Sequence, residues 1–83
     1  MSLSDDVREH CKVTYVNPAR TNSERTVTIC TGDVHRDMNY RNRYPLVCSA
    51  IGSNKFEKIC NVKRISVEGP LNGANTLFTF EMI

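Results

Sequence analysis

At 83 residues the chain has room for one domain with one modest core, and a hydrophobic content of 40% is enough to fold it. The net charge of +2 is too small to imply nucleic-acid binding by itself. No stretch approaches the roughly 18 apolar residues of a membrane span, and no signal peptide opens the chain, so a cytoplasmic protein with no membrane partner is expected.

Leu3, Val7 and Cys11 fall at i, i+4 and i+8, with Ser4 placed as an N-cap and Asp5 and Asp6 in the first turn. Acidic side chains there suit the helix macrodipole, so one short helix is predicted. In "CKVTYVN", Cys11, Val13 and Tyr15 alternate with polar residues, the period of a half-buried strand. "PARTNSE" reads as a turn-rich connection, "RTVTIC" as a second alternating strand, and "TGDVHRDMNYRNR" as a polar loop with at most a short strand or helical turn. "YPLVCSAI" is the most apolar run and reads as a central strand, with Pro45 near its start. "GSNK" supplies a tight turn at which Gly52 and Asn54 tolerate positive φ. "FEKICNVKRISVE" follows as a long strand, "GPLNGAN" turns, and "TLFTFEMI" closes the chain with Phe78, Phe80 and Met82 on one face.

The fold class expected from this series is mainly β: a small SH3-like barrel or strongly twisted antiparallel sheet with a short N-terminal helix, one domain over residues 1–83. An exposed strand left by incomplete closure would pair two copies into a homodimer.

Within "KICNVKRI" neither parity of side chains is cleanly apolar: Lys58 and Arg64 share a face with Cys60 and Val62, and Lys63 shares one with Ile59 and Ile65. A bulge near Asn61 or Lys63 would resolve the conflict by turning Val62 and Ile65 inward and the cations outward. Charge is also unevenly spread. Seven cations (Arg36, Arg41, Arg43, Lys55, Lys58, Lys63, Arg64) lie between residues 36 and 64 against Asp37 and Glu57, whereas the first nine residues carry Asp5, Asp6 and Glu9 against Arg8. A basic centre points to an anionic partner.

Four stretches taken together resemble the WYL-type domain, a small SH3-like barrel found in bacterial regulators: "VTYVN", then "SERTVTI" with Ser23 and Arg25, "YPLVCSA" with Tyr44 and Leu46, and "KICNVKRI" with Arg64-Ile65. The chain departs from that pattern at Cys60, Lys63 and Pro45, and no helix-turn-helix precedes the matched stretch. The resemblance implies a regulatory module that senses an anionic ligand, and it carries over Lys58 and Arg64, with Arg25 as a third contact.

No chemistry-bearing motif is well formed. Cys11, Cys30, Cys48 and Cys60 lie 19, 18 and 12 residues apart with no Cys-x-x-Cys pair, so buried thiols are expected in place of zinc ligands or disulfides. Asp33, His35 and Asp37 would project about 6–7 Å apart from one face of a strand and suit a divalent metal, but Gly32-Asp33 is also an ordinary turn and a polar surface loop needs no metal, so no metal site is expected. No nucleophile turn or phosphate-binding loop is present, so neither enzymatic activity nor a cofactor is expected. "NYRNRY" interleaves Tyr40 and Tyr44 with Arg41 and Arg43, as nucleic-acid stacking requires. The functional expectation is a non-enzymatic regulatory or adaptor module that binds an anionic ligand or a protein partner. Its alternative is a small nucleic-acid-binding protein. The site residues are Arg25, Arg41, Arg43, Lys58, Lys63 and Arg64.

Overall fold

The computed structural model of the chain describes residues 2–69 and 75–83. Helix outweighs strand, 53% against 23%, and a mixed α/β domain replaces the mainly-β barrel expected from the sequence. Helix α1 (Leu3–Cys11) continues through a π-helical stretch (Lys12–Val16) into α2 (Asn17–Thr21); then come β1 (Thr26–Cys30), α3 (Thr31–Asp37), α4 (Tyr44–Ile51), α5 (Asn54–Cys60), β2 (Val62–Glu68) and β3 (Leu77–Met82). The three strands form an antiparallel sheet in the order β1-β3-β2.

The predicted first helix is present, capped by Ser2 instead of Ser4: the Ser2 side chain accepts from the Asp5 amide at 3.2 Å. It does not give way to a strand at Cys11. Asn17 N–H donates to the Lys12 carbonyl, five residues back, which widens the helix one turn before Pro18. Pro18 has no amide to give, and a widened turn is how a helix accommodates that loss. The extra residue also shifts the apolar stripe. Val7 and Cys11 are followed in the core by Val16, while Val13, expected to face inward from a strand, is 56% exposed. That one-residue offset hid the helix from a regular period.

"RTVTIC" and "TLFTFEMI" are strands as predicted, and Phe78 and Phe80 are buried on the face they share. "YPLVCSAI", expected to be a central strand, is helical, with Pro45 in its first turn, where a missing amide costs nothing. "GSNK" is not a positive-φ turn: Gly52 has φ −79°, and Ser53 caps α5 by accepting from the Phe56 amide. The polar loop is helix α3 over Thr31–Asp37. Of the "GPLNGAN" turn, 70–74 lie outside the described residues; Gly69 adopts φ 92°, and a Cβ there would come within 2.7 Å of the Asn75 carbonyl oxygen. Of the stretches that carry the WYL resemblance, "VTYVN" and "YPLVCSA" are therefore helical.

"KICNVKRI" is two elements. Residues 58–60 end α5, Asn61 turns the chain in the left-handed region at φ 57°, and β2 starts at Val62. The ladder with β3 pairs Arg64 with Phe80 and Ser66 with Thr79, so Ile65 is bulged out. The bulge sits beyond the two positions favoured from sequence. Its effect is to bring Val67, opposite Phe78, onto the inward face that carries Val62 and Arg64.

The core lies between the sheet and the helices, with Phe56, Phe80, Ile29, Ile51, Val7 and Val16 fully enclosed. Cys11, Cys48 and Cys60 are part of it, and Cys30 is half-buried. Burial pushes the Cys11 thiol up to about 12 and the Cys60 thiol to about 11, so both stay protonated and unreactive at neutral pH. Among the described residues, no helix is long and apolar enough to cross a membrane.

Candidate nucleic-acid interface

Gly52 and Ser53 alone join α4 to α5, and α5 is pinned at both ends. At the N-terminal end, Ser53 Oγ caps α5, donates to the Ala50 carbonyl at 2.8 Å and accepts from Arg8 Nε at 3.2 Å. Arg8 Nε also donates to the Ala50 carbonyl, and its Nη1 reaches Asp5 Oδ1 at 2.8 Å. Lys55 Nζ donates to that same carboxylate oxygen at 3.0 Å, and this contact, ahead of the one to Ser2, holds the Asp5 carboxyl below its usual value. Helix α1 thus fastens the turn. At the C-terminal end, Arg20 Nη2 donates to the Cys60 and Asn61 carbonyls, both at 3.0 Å, and the Asn61 carbonyl also accepts from the Ile83 amide at 3.3 Å.

The inward face of α5 holds Phe56, Ile59 and Cys60 at helical spacing, and the Phe56 ring lies 5.1 Å from that of Phe80. Its outward face presents Asn54, Lys55 and Lys58, all exposed. Beside it, the start of β2 exposes Lys63, and an open groove of about 480 Å³ lies between them, lined by Asn54, Glu57, Lys58, Asn61 and Lys63 together with Val62 and Ile83.

Of the six residues expected from sequence, Lys58 and Lys63 therefore meet in one groove. Arg64 does not join them: its Nη1 donates to the Gly52 carbonyl at 3.0 Å, in a second groove on the other side of the turn. Arg41 and Arg43 are exposed on the segment before α4, with Arg43 5.9 Å from the Tyr40 ring centre and its amide donating to His35 Nε2 at 3.1 Å. The length of α4, roughly 12 Å, separates that segment from the turn. Arg25 is exposed at the head of β1, two strands from β2. Asn54 and Lys55 were missed by sequence reasoning; the usable signal was Ser53 as an N-cap followed by Phe56, Ile59 and Cys60 at i, i+3 and i+4.

Asp33, His35 and Asp37 do not converge. Asp33 pairs with Arg36 at 3.3 Å; His35 is buried, stacked 4.0 Å from the Tyr44 ring and accepting from the Arg43 amide; Asp37 faces α1 and the π stretch. Among the described residues no group of three or more His, Cys, Asp or Glu side chains is placed to hold a metal.

Asp37 instead anchors a network that joins α3 to the π stretch. Tyr15 donates to Asp37 Oδ2 at 2.6 Å, His10 Nε2 lies 3.2 Å from the same oxygen, and Thr14 Oγ1 lies 3.4 Å from His10 Nδ1. The Tyr15 hydrogen bond, ahead of His10, holds the Asp37 carboxyl below its usual value; burial and then Asp37 push the Tyr15 phenol up. A depressed carboxylate stabilises the fold above the unfolded value of about 3.9, and that contribution is lost as pH falls through the lower folded value. Tyr15→Phe is therefore expected to lower stability by about 1 kcal/mol at pH 7, a charged hydrogen bond discounted for partial exposure. The thermal midpoint should drop by about 4–8 °C. Melting curves at pH 7 and pH 2.5 check this: the gap to wild type should shrink at pH 2.5, and an equal gap at both would remove Asp37 ionisation as its cause.

No protein-family model, curated protein or solved structure matches the chain.

Proposed function

We propose that this chain is a winged helix-turn-helix module that binds duplex DNA, with α5 set in the major groove and the β2–β3 hairpin alongside as the wing. The observation that carries this reading is the order of elements. The continuous N-terminal helix, β1 and α3 precede two helices joined by a two-residue turn, the second of which runs directly into a hairpin, and the first strand pairs with the last, β1-β3-β2. In such motifs the second helix offers side chains to base edges, while neighbouring cations and amides fix the register on phosphate. The outward face of α5 is polar and clamped from both ends, so it is presented rigidly. Asn54 is the side chain suited to read an adenine edge, and Lys58 and Lys63 to meet phosphates. Cys11, Cys30, Cys48 and Cys60 form no disulfide, which agrees with a cytoplasmic setting.

Fluorescence anisotropy with a random-sequence duplex tests the reading. Binding should be measurable at 50 mM salt and weaken steeply by 200 mM, because each phosphate contact releases counterions. Absence of binding at 50 mM salt would refute it.

A second reading, self-association along β2, rests on a separate observation: Ile65 and Val67 are exposed at 49% and 36% on an edge strand. Sedimentation as a monomer at high micromolar concentration would exclude it.

A further inference from the structure

The second groove is lined by the end of α4, the turn after it and both strands of the hairpin. Its volume is about 600 Å³, within the range of sites that hold small organic molecules. Cys48 and Phe78 form an apolar floor, Val67 is one wall, and Ser49 and Arg64 stand at the rim. The bulge at Ile65 creates this wall. Without it, β2 would present Ser66 inward after Arg64; with it, Val67 faces inward opposite Phe78, next to the Arg64 guanidinium. An apolar wall and a cation are thereby turned to one space.

Arg64 is only partly engaged. One of its guanidinium nitrogens donates to the Gly52 carbonyl, and among the described residues no carboxylate lies within ion-pair distance of it. A guanidinium has five N–H donors in a planar fork that matches a carboxylate. The Ser49 hydroxyl makes no hydrogen bond among the described residues, whereas Ser53 is fully used in capping α5 and receiving Arg8. Among the described residues no second cation lines the groove, so its charge complements one negative charge, and its floor complements a hydrocarbon or aromatic body.

We infer that this groove is a binding site for a small monocarboxylate with an apolar body, its carboxylate on Arg64 and Ser49 and its body against Val67, Phe78 and Cys48. A ligand so placed touches both the turn of the helix-turn-helix and the hairpin, and it braces one against the other. The inference does not depend on duplex binding, because Arg64 faces away from the groove that holds Lys58 and Lys63.

Amide shift titrations of the labelled full chain test it with hexanoate, phenylacetate and indole-3-acetate, each against its neutral amide. At least one carboxylate should bind saturably at about millimolar concentration, with shifts confined to residues 48–53, 64–67 and 78. The matching amide should bind at least tenfold more weakly. Arg64→Gln should weaken binding at least tenfold. Ser49→Trp, at an exposed helix position, should block the groove while leaving the spectrum folded, which keeps the test valid if Arg64→Gln perturbs β2. The proposal is overturned if no carboxylate shifts these residues, if the amide binds as well as the acid, or if Ser49→Trp binds like wild type. Loss of duplex binding in Arg64→Gln with no response to any carboxylate would also overturn it, and would assign Arg64 to phosphate.

Discussion

Phe56→Ala is expected to destabilise the domain by about 3–5 kcal/mol, the range for deleting an enclosed aromatic side chain. Phe56 is fully buried, and its ring is tilted 56° against that of Phe80, so it joins α5 to the sheet. A domain of this length carries on the order of 4–12 kcal/mol in total, so the loss takes a large share. Urea unfolding followed by circular dichroism should show a clearly lower midpoint, while Ile65→Ala, at an exposed bulge, should stay within about 0.5 kcal/mol of wild type. An unchanged midpoint in Phe56→Ala would mean that α5 does not dock as described.

Replacing Lys58 and Lys63 together with Ala is expected to have the largest effect on duplex binding. Each lysine that meets a phosphate contributes about 0.9 to the slope of log affinity against log salt, so the double variant should lose nearly 2 from that slope. Both side chains are exposed and form no ion pair among the described residues, so the thermal midpoint should hold. Arg36→Ala, on the exposed side of α3 away from this groove, is a control for a charge lost elsewhere and should leave the slope unchanged. Asn54→Ala should act differently, relaxing base preference at one position by about 1–3 kcal/mol with the slope intact. Equal slopes for wild type and the double variant would remove these lysines from the interface. Lys55 is a poorer probe because it also holds Asp5 at the turn.

The amino-acid sequence by itself determined the elements whose periods are local and complete. Leu3, Val7 and Cys11 mark a helix, Val27 and Ile29 a strand, and Phe78, Phe80 and Met82 a last strand, because each set repeats on one face without interruption. It also pointed to burial of all four cysteines, of which three lie in the core. It pointed to a bulge near Asn61 or Lys63 with Ile65 inward and Arg64 outward, whereas the bulge falls at Ile65, which points out while Arg64 faces inward. Among the candidate cations, it named Lys58 and Lys63, which the fold brings into one groove.

What the tertiary structure alone decided is the class of the fold. "YPLVCSAI" buries Val47, Cys48, Ala50 and Ile51 because α1 packs against one side of α4 and α3 against another, and an apolar run of that length fits a buried strand equally well until its neighbours are known. "CKVTYVN" alternates like a strand, yet the π turn before Pro18 moves the buried position from Tyr15 to Val16. No regular period can anticipate an inserted residue. The fate of Arg64 was also tertiary: it faces inward because it pairs with Phe80 in the register that buries Val62, and its partner is a backbone carbonyl twelve residues away at Gly52. Backbone acceptors carry no side-chain signature, so the cation that looked most like a ligand contact in "KICNVKRI" could be placed only once the hairpin had been laid over the turn.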